Sequence, residues 1–257
     1  MHRRIRDYWR RLTASWQQAG PRAALTGADR DLIARIRARN LTYLTDHKLT
    51  SLVTTVRTLE ENRVPGIFLE TGCALGGSAI LIASLKSPGR PFLIYDVFEM
   101  IPPPSSEDTP DVHQRYRAIV EGKSQGIGGD QYYGYMEDLY GIVQSNLKDF
   151  GIDCQGRTVT LIKGRIEDTM IIDQPVALAH VDVDWYQPVL TSLQRVSPNL
   201  VVGGSIILDD YHDWDGCRKA ADEFLRGVVG QFDLDDTAGS MKLTRLRNPA
   251  PGGRPRL

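Results

Sequence analysis

Four aspartates are the residues in this chain best placed to do chemistry. Val176 to Val181 is a short apolar run that ends in Asp182-Val183-Asp184-Trp185-Tyr186, and Ser205 to Leu208 is another that ends in Asp209-Asp210-Tyr211. Apolar runs of this length read as strands buried on both faces of a sheet. In an open parallel sheet, groups just past the carboxyl ends of strands share one rim, where ligands bind. Along an extended chain Asp182 and Asp184 point the same way. Asp209 and Asp210 diverge unless the chain bends. Carboxylates this close repel one another unless something neutralises them. A hard divalent cation does so, and an all-oxygen set suits magnesium or manganese. A helix cap is the alternative for any one of these aspartates. The D-x-D and D-D pairs after consecutive apolar strands favour the metal.

A second constellation lies upstream. Glu70-Thr71-Gly72-Cys73-Ala74-Leu75-Gly76-Gly77-Ser78 follows the strand candidate Ile67-Phe68-Leu69 and opens a helix. Small residues here let the backbone turn tightly and approach a ligand, and the helix start offers free N–H groups. The spacing G-x-x-x-G-G is neither the dinucleotide fingerprint nor a P-loop. The next strand, Pro91 to Tyr95, ends in Asp96, a carboxylate able to accept from both ribose hydroxyls. Together these read as nucleoside binding, a logic shared by NAD and S-adenosylmethionine (SAM). The turn Gly164-Arg165-Ile166-Glu167-Asp168 follows a third strand, Thr158 to Ile162, where an adenine ring would lie against Ile166.

The elements that carry these residues alternate. Residues 28–62 read as helical, with a break around Asn40 to Lys48. Helices are expected over Gly76 to Leu85, Leu190 to Leu200 and Ala220 to Val229, and a last strand over Lys242 to Leu246. This rhythm predicts an α/β fold: a mostly parallel, Rossmann-like sheet with helices on both faces. The expected organisation is an N-terminal helical cap (1–62), one catalytic domain (63–247) and a tail (248–257). Residues 98–135, with Pro102-Pro103-Pro104 and Gly126, Gly128 and Gly129, interrupt the alternation. They read as a lid inserted over the site.

Composition narrows the class. The 257 residues carry a net charge of −1 and are 41% hydrophobic and 25% charged, as in an ordinary soluble enzyme. That balance gives no reason to expect nucleic-acid binding, and no apolar run is long enough for a membrane span. Three scattered cysteines, Cys73, Cys154 and Cys217, form neither a disulfide framework nor a zinc site and fit a reducing cytoplasm. Arg3, Arg4, Arg6, Arg10 and Arg11 interleave with Ile5, Tyr8, Trp9, Leu12 and Trp16 as in a basic amphipathic helix. Its aromatic residues suit an interface in a homo-oligomer.

These motifs, in this order, resemble the TylF-type (macrocin O-methyltransferase-like) family, the SAM- and magnesium-dependent sugar O-methyltransferases of antibiotic biosynthesis. The resemblance runs over about residues 40–230. It rests on Val64-Pro65-Gly66 before Glu70-Thr71-Gly72, on Asp96-Val97-Phe98-Glu99, and on His180-Val181-Asp182-Val183-Asp184. It continues through Gly203-Gly204-Ser205 to Asp209-Asp210-Tyr211, and Gly216-Cys217-Arg218-Lys219-Ala220. It implies a class I SAM-dependent methyltransferase fold, metal ligands Asp182, Asp209 and Asp210, and Asp184 as general base. It further implies SAM contacts from Thr42, Glu70, Thr71, Gly72, Ser78, Asp96, Phe98, Ile166, Glu167 and Asp182. The chain is also similar to nucleotide-deoxysugar O-methyltransferases of enediyne pathways, which points to a small acceptor such as TDP-rhamnose or a sugar already on a natural product. Cys73-Ala74-Leu75 and the Glu-Met-Ile-Pro after Phe98 depart from the family pattern, which puts lid and substrate in question. His212, His113 and His180 are alternative bases. A catechol or phenol acceptor would use the same metal logic. A metal-dependent hydrolase and a non-catalytic SAM-binding protein are the readings from other classes.

Overall fold

The computed structural model describes residues 25–154, 156 and 158–247. The basic amphipathic segment with Trp9 and Trp16 and the tail from 248 lie outside the described residues.

The chain enters through α1 (Gly27–Ala38) and α2 (Asp46–Glu61). Thr26 caps α1 in a reciprocal capping box with Asp29, and Thr45 caps α2 through the Lys48 N–H. The link between them is the predicted break. Strand β1 (Ile67–Thr71) is buried at every position. It leads into α3 (Gly77–Leu85), a helix rich in Ala, Ile and Leu and buried over its first two turns. Then come β2 (Phe92–Asp96), the insertion with α4 (Pro110–Val120), and α5 (Leu139–Asp149). The chain continues through β3 (Val159–Lys163), the single turn α6 (Ile166–Thr169), β4 (Val176–Val181), α7 (Tyr186–Val196) and β5 (Leu200–Leu208). It closes with α8 (Asp215–Gly227), β6 (Phe232–Asp235) and β7 (Met241–Arg245).

The strands form one seven-stranded sheet in the order β3-β2-β1-β4-β5-β7-β6. All neighbours are parallel as far as β5; β7 runs antiparallel to both β5 and β6. The order reverses direction between β1 and β4, the place where an open α/β sheet leaves a crevice at the strand ends. Two buried clusters cover its faces. One joins α1, α2, α3 and α5 through residues such as Ile36, Val53, Ile80 and Leu147. The other joins α7 and α8 through Val189, Leu193, Ala220 and Phe224.

Differences from the sequence expectations have local causes. Helix α7 begins at Tyr186 rather than Leu190, since Pro188 is tolerated in a first turn. Leu200, expected at the end of that helix, instead opens β5. The strand is longer than expected because Gly203 and Gly204 interrupt its apolar run. They sit at an irregularity in which Val176 pairs with Leu200 but Leu178 pairs with Ser205. The edge strand β6, Phe-Asp-Leu-Asp, alternates with acids and carries no continuous apolar signal. Helix α8 starts at Asp215 instead of Ala220, and α5 has no counterpart in the sequence reading.

Candidate active site

The turn after β1 is fixed by close backbone approach. Gly72 has φ +78, and its N–H donates to the Tyr95 carbonyl at 2.8 Å. A Cβ there would lie 1.8 Å from the Asp182 carbonyl oxygen, so only glycine fits. The Asp182 N–H donates to the Thr71 carbonyl at 2.8 Å. The ends of β1, β2 and β4 are therefore locked together beside the first aspartate. At Gly77, a Cβ would meet the Leu41 carbonyl at 2.4 Å, and the Gly77 N–H donates to that oxygen at 3.1 Å. The link between α1 and α2 thus lies across the start of α3.

Asp96 is buried at the end of β2. Its two oxygens accept from the N–H groups of Cys73 and Phe98, each at 2.7 Å. Burial pushes its carboxyl up, and these backbone donors oppose that. A carboxylate has about four lone-pair sites, so both oxygens can still accept from a ligand. A cavity of about 490 Å³ opens here. Of the residues singled out from sequence, Gly72, Asp96, Ile166, Glu167, Asp182, Asp184, Asp209 and Asp210 line it.

The remaining expected cofactor contacts stand behind that lining. Thr42 is buried and accepts from the Leu44 N–H at 3.2 Å; its neighbours Tyr43 and Leu44 reach the cavity instead. Thr71 is fully buried, with its hydroxyl 3.5 Å from that of Ser192. Ser78 is buried in the first turn of α3. Phe98, at φ +50, packs edge-on against Tyr140 at 5.0 Å while Val97 and Glu99 line the cavity. Glu70 is fully buried and pairs through Oε1 with Nδ1 of His180 at 2.8 Å. Its Oε2 has no partner among the described residues.

The aspartates gather at the strand ends in two groups, neither of which holds Asp182, Asp209 and Asp210 together. The bend needed after β5 is a 3-10 turn over Asp209–Tyr211. Carboxylate oxygens of Asp182, Asp184 and Asp210 lie within 4.8 Å of one another, and so do those of Asp209, Asp210 and Asp213. Asp184 is held at φ +55, a left-handed conformation uncommon for a residue with a side chain, and its N–H donates to Asp210 Oδ2 at 3.3 Å. Burial, then the neighbouring carboxylates, drive Asp182 and Asp210 well above the ordinary range. Burial also raises Asp184, to about 6, against the Asp210 hydrogen bond and the Arg115 charge. Asp209 has one oxygen on Lys48 and the other, Oδ1, buried without a partner among the described residues. Crowded carboxylates and an orphaned buried oxygen fit a hard divalent cation.

None of the three histidines considered as a base lines the cavity. His180 is engaged by Glu70, His212 is a half-exposed neighbour of Asp236 at 3.7 Å, and His113 lies in α4.

The insertion supplies much of the remaining lining. Arg115, Tyr132 and Tyr133 come from it, with the Arg115 guanidinium 5.4 Å from the Tyr132 ring centre. The Tyr132 and Tyr133 ring centres are 4.4 Å apart, and Tyr43 meets Tyr133 edge-on at 6.0 Å. Trp185 and Trp214 pack edge-on at 6.1 Å. Two hydrogen bonds tie the insertion to the start of α7: Trp185 Nε1–H donates to the Pro102 carbonyl at 3.0 Å, and the Tyr186 N–H donates to Asp108 Oδ1 at 2.7 Å. The sequence motifs point to none of Lys48, Arg115, Tyr132, Tyr133 or Trp214 as a site residue. Lys48 did leave a signal, a charge at a position that shares the buried face of α2 with Leu49, Leu52 and Val56. The aromatic residues of the insertion left none.

Comparison with known proteins gives a consistent picture. The profile of the family described as macrocin O-methyltransferase (TylF) matches residues 8–234. A relative in Streptomyces olivaceus is the 8-demethyl-8-(2,3-dimethoxy-alpha-L-rhamnosyl)-tetracenomycin-C 4'-O-methyltransferase. It is 29% identical over 193 residues, covering 72% of this chain and 67% of the relative. Among solved structures, the O-methyltransferase NovP superposes with a TM-score of 0.67 at 22% identity, over 80% of this chain and 83% of that one. A calicheamicin methyltransferase superposes with a TM-score of 0.53 at 18% identity, over 86% and 94%. At these identities the two structures speak for the fold alone, that of class I SAM-dependent O-methyltransferases.

Proposed function

Because the chain belongs to the macrocin O-methyltransferase family and is thus a SAM-dependent O-methyltransferase, we propose that it methylates a deoxysugar hydroxyl with the help of a divalent cation, magnesium or manganese. The observation that carries this reading is the aspartate cluster in the wall of the same cavity as Gly72 and Asp96. The tetracenomycin relative acts on a sugar already on its aglycone, so the acceptor class covers linked sugars as well as nucleotide sugars such as TDP-rhamnose.

Each residue then has a task. Asp96 accepts hydrogen bonds from the donor's ribose, and Ile166 covers its adenine. Glu167 lines the cavity beside them. Asp182, Asp209 and Asp210 hold the cation, which when bound lowers the pKa of a nearby hydroxyl and offsets its developing charge. Asp184 takes the hydroxyl proton, its carboxyl held near the working range by burial. Trp185, Trp214 and Tyr132 offer flat apolar surface to a sugar ring, and Arg115 offers a positive charge to an anionic acceptor. The insertion keeps water from the site during transfer.

The aromatic lining also favours a second reading, a catechol or phenol acceptor held flat between rings. A transfer assay on nucleotide deoxysugars, glycosylated aglycones and catechols, with and without magnesium, separates the two. Calorimetry with SAM and its demethylated product comes first. Metal-dependent methylation of a sugar supports the proposal. Turnover of catechols alone replaces the acceptor, and metal-independent turnover removes the cation.

A further inference from the structure

The acidic wall contains two carboxylate clusters that share Asp210, and one of them already holds a cation from the chain itself. The first is Asp182, Asp184 and Asp210; the second is Asp209, Asp210 and Asp213. Lys48 enters the second from α2. Its ammonium lies 2.9 Å from Asp209 Oδ2, 3.0 Å from the Asp209 carbonyl and 2.6 Å from Asp213 Oδ2. An ammonium has three donors and no acceptor, so these three contacts use its full capacity. Lys48 is only 9% exposed and lies on the buried face of α2. The pairing leaves Asp209 asymmetric: Oδ2 is taken, while Oδ1 is buried and without a partner among the described residues.

We propose that Lys48 is the resident cation of the second cluster, a positioning residue that restricts the acidic wall to one divalent ion and presents Asp209 to it through Oδ1 alone. The inference rests on the divalent-ion reading above and adds a stoichiometry to it. Five carboxylates in two overlapping clusters could draw in two divalent ions, as pairs of metals do in sites of similar composition. A fixed ammonium at Asp209 and Asp213 excludes the second by charge and by occupancy, without itself ligating anything. It also ties the start of α2, just after Tyr43 and Leu44 of the cavity lining, to the acidic wall.

The test is a titration with manganese of the full chain, read by electron paramagnetic resonance and by calorimetry, on wild type, Lys48→Met and Lys48→Gln. Gln keeps a neutral hydrogen-bonding group, one atom short of the ammonium, and serves if the Met variant does not fold. Wild type is expected to bind one ion per chain and a Lys48 variant two, with the second ion lost again when Asp213→Asn is added. A neutral variant that binds one ion, at unchanged or weakened affinity, overturns the proposal, since Lys48 would then be at most a strut. A wild type that binds no manganese fails the divalent-ion reading itself, a separate result read before any variant is made.

Discussion

Replacing Glu70 by Gln tests the buried pair beneath the aspartates. Glu70 and His180 are 0% and 1% exposed. Burial alone would lower the His180 pKa; the hydrogen bond and charge of Glu70, aided by Asp182 and Asp209, outweigh it and raise the value from 6.5 to about 9. The folded protein therefore keeps a proton that the unfolded chain gives up. Its stabilising effect is complete below about pH 6.5 and is lost as the pH rises through about 9. At about 1.36 kcal/mol per unit, the window is worth about 3 kcal/mol. Urea unfolding of chelator-treated protein, repeated from about pH 6 to about pH 9.5, reads this directly. Wild type should lose stability on that order across the window, and Glu70→Gln should flatten the loss. The variant is less stable overall, because Oε2 has no partner among the described residues and an amide there would be a buried donor without an acceptor. Slopes, not absolute stabilities, are therefore compared. Parallel pH profiles would refute the assignment of the raised histidine to Glu70.

Gly72→Ala combines a left-handed φ with a methyl group 1.8 Å from the Asp182 carbonyl. It should cost about 2–5 kcal/mol in urea unfolding and weaken SAM binding in calorimetry. Asp184→Asn should retain manganese while turnover falls by about 10²–10⁴-fold. The rise of the wild-type rate with pH, centred at or below about 6 since a bound cation lowers the carboxyl further, should vanish with it. Asp108→Ala strips the acceptor from the buried Tyr186 N–H, at a cost of about 1–3 kcal/mol. Limited proteolysis within residues 99–135 should quicken, while the metal-binding stoichiometry stays unchanged.

The parts of the fold that were legible in the sequence are those where one requirement acts alone. Strands buried on both faces are mostly apolar, and the run from Val176 to Val181 marks both ends of β4. The turn at Gly72 is legible because close backbone approach demands a narrow residue set, and Asp96 because a carboxylate at the end of an apolar strand stands out. What escaped was set by tertiary context. β5 extends back to Leu200, beyond its apolar run, because its glycines sit at a register irregularity visible only against β4. Thr71 and Phe98 stand next to the residues that line the cavity, Gly72, Val97 and Glu99, while Ser78 lies in α3, none of which lines it, and sequence spacing does not say which side of a loop faces a ligand. Lys48 and Asp209 are 161 positions apart, so their pairing could not be read from either stretch.

The attachment of the insertion at Trp185 and Tyr186 has a kinetic consequence. These two residues directly follow Asp184, and both of their tethers, to Pro102 and to Asp108, end in the insertion. If the insertion moves as a lid over the proposed site, its opening breaks both bonds and loosens the start of α7, directly after Asp184 with its left-handed φ. Under the proposed function, opening and disarming would then be coupled. Donor and acceptor would enter an unarmed enzyme, the proton acceptor would be set only once both are enclosed, and departure of the methylated product would dismantle it again. In such a cycle, turnover is paced by the loop's reassembly as much as by the transfer of the methyl group.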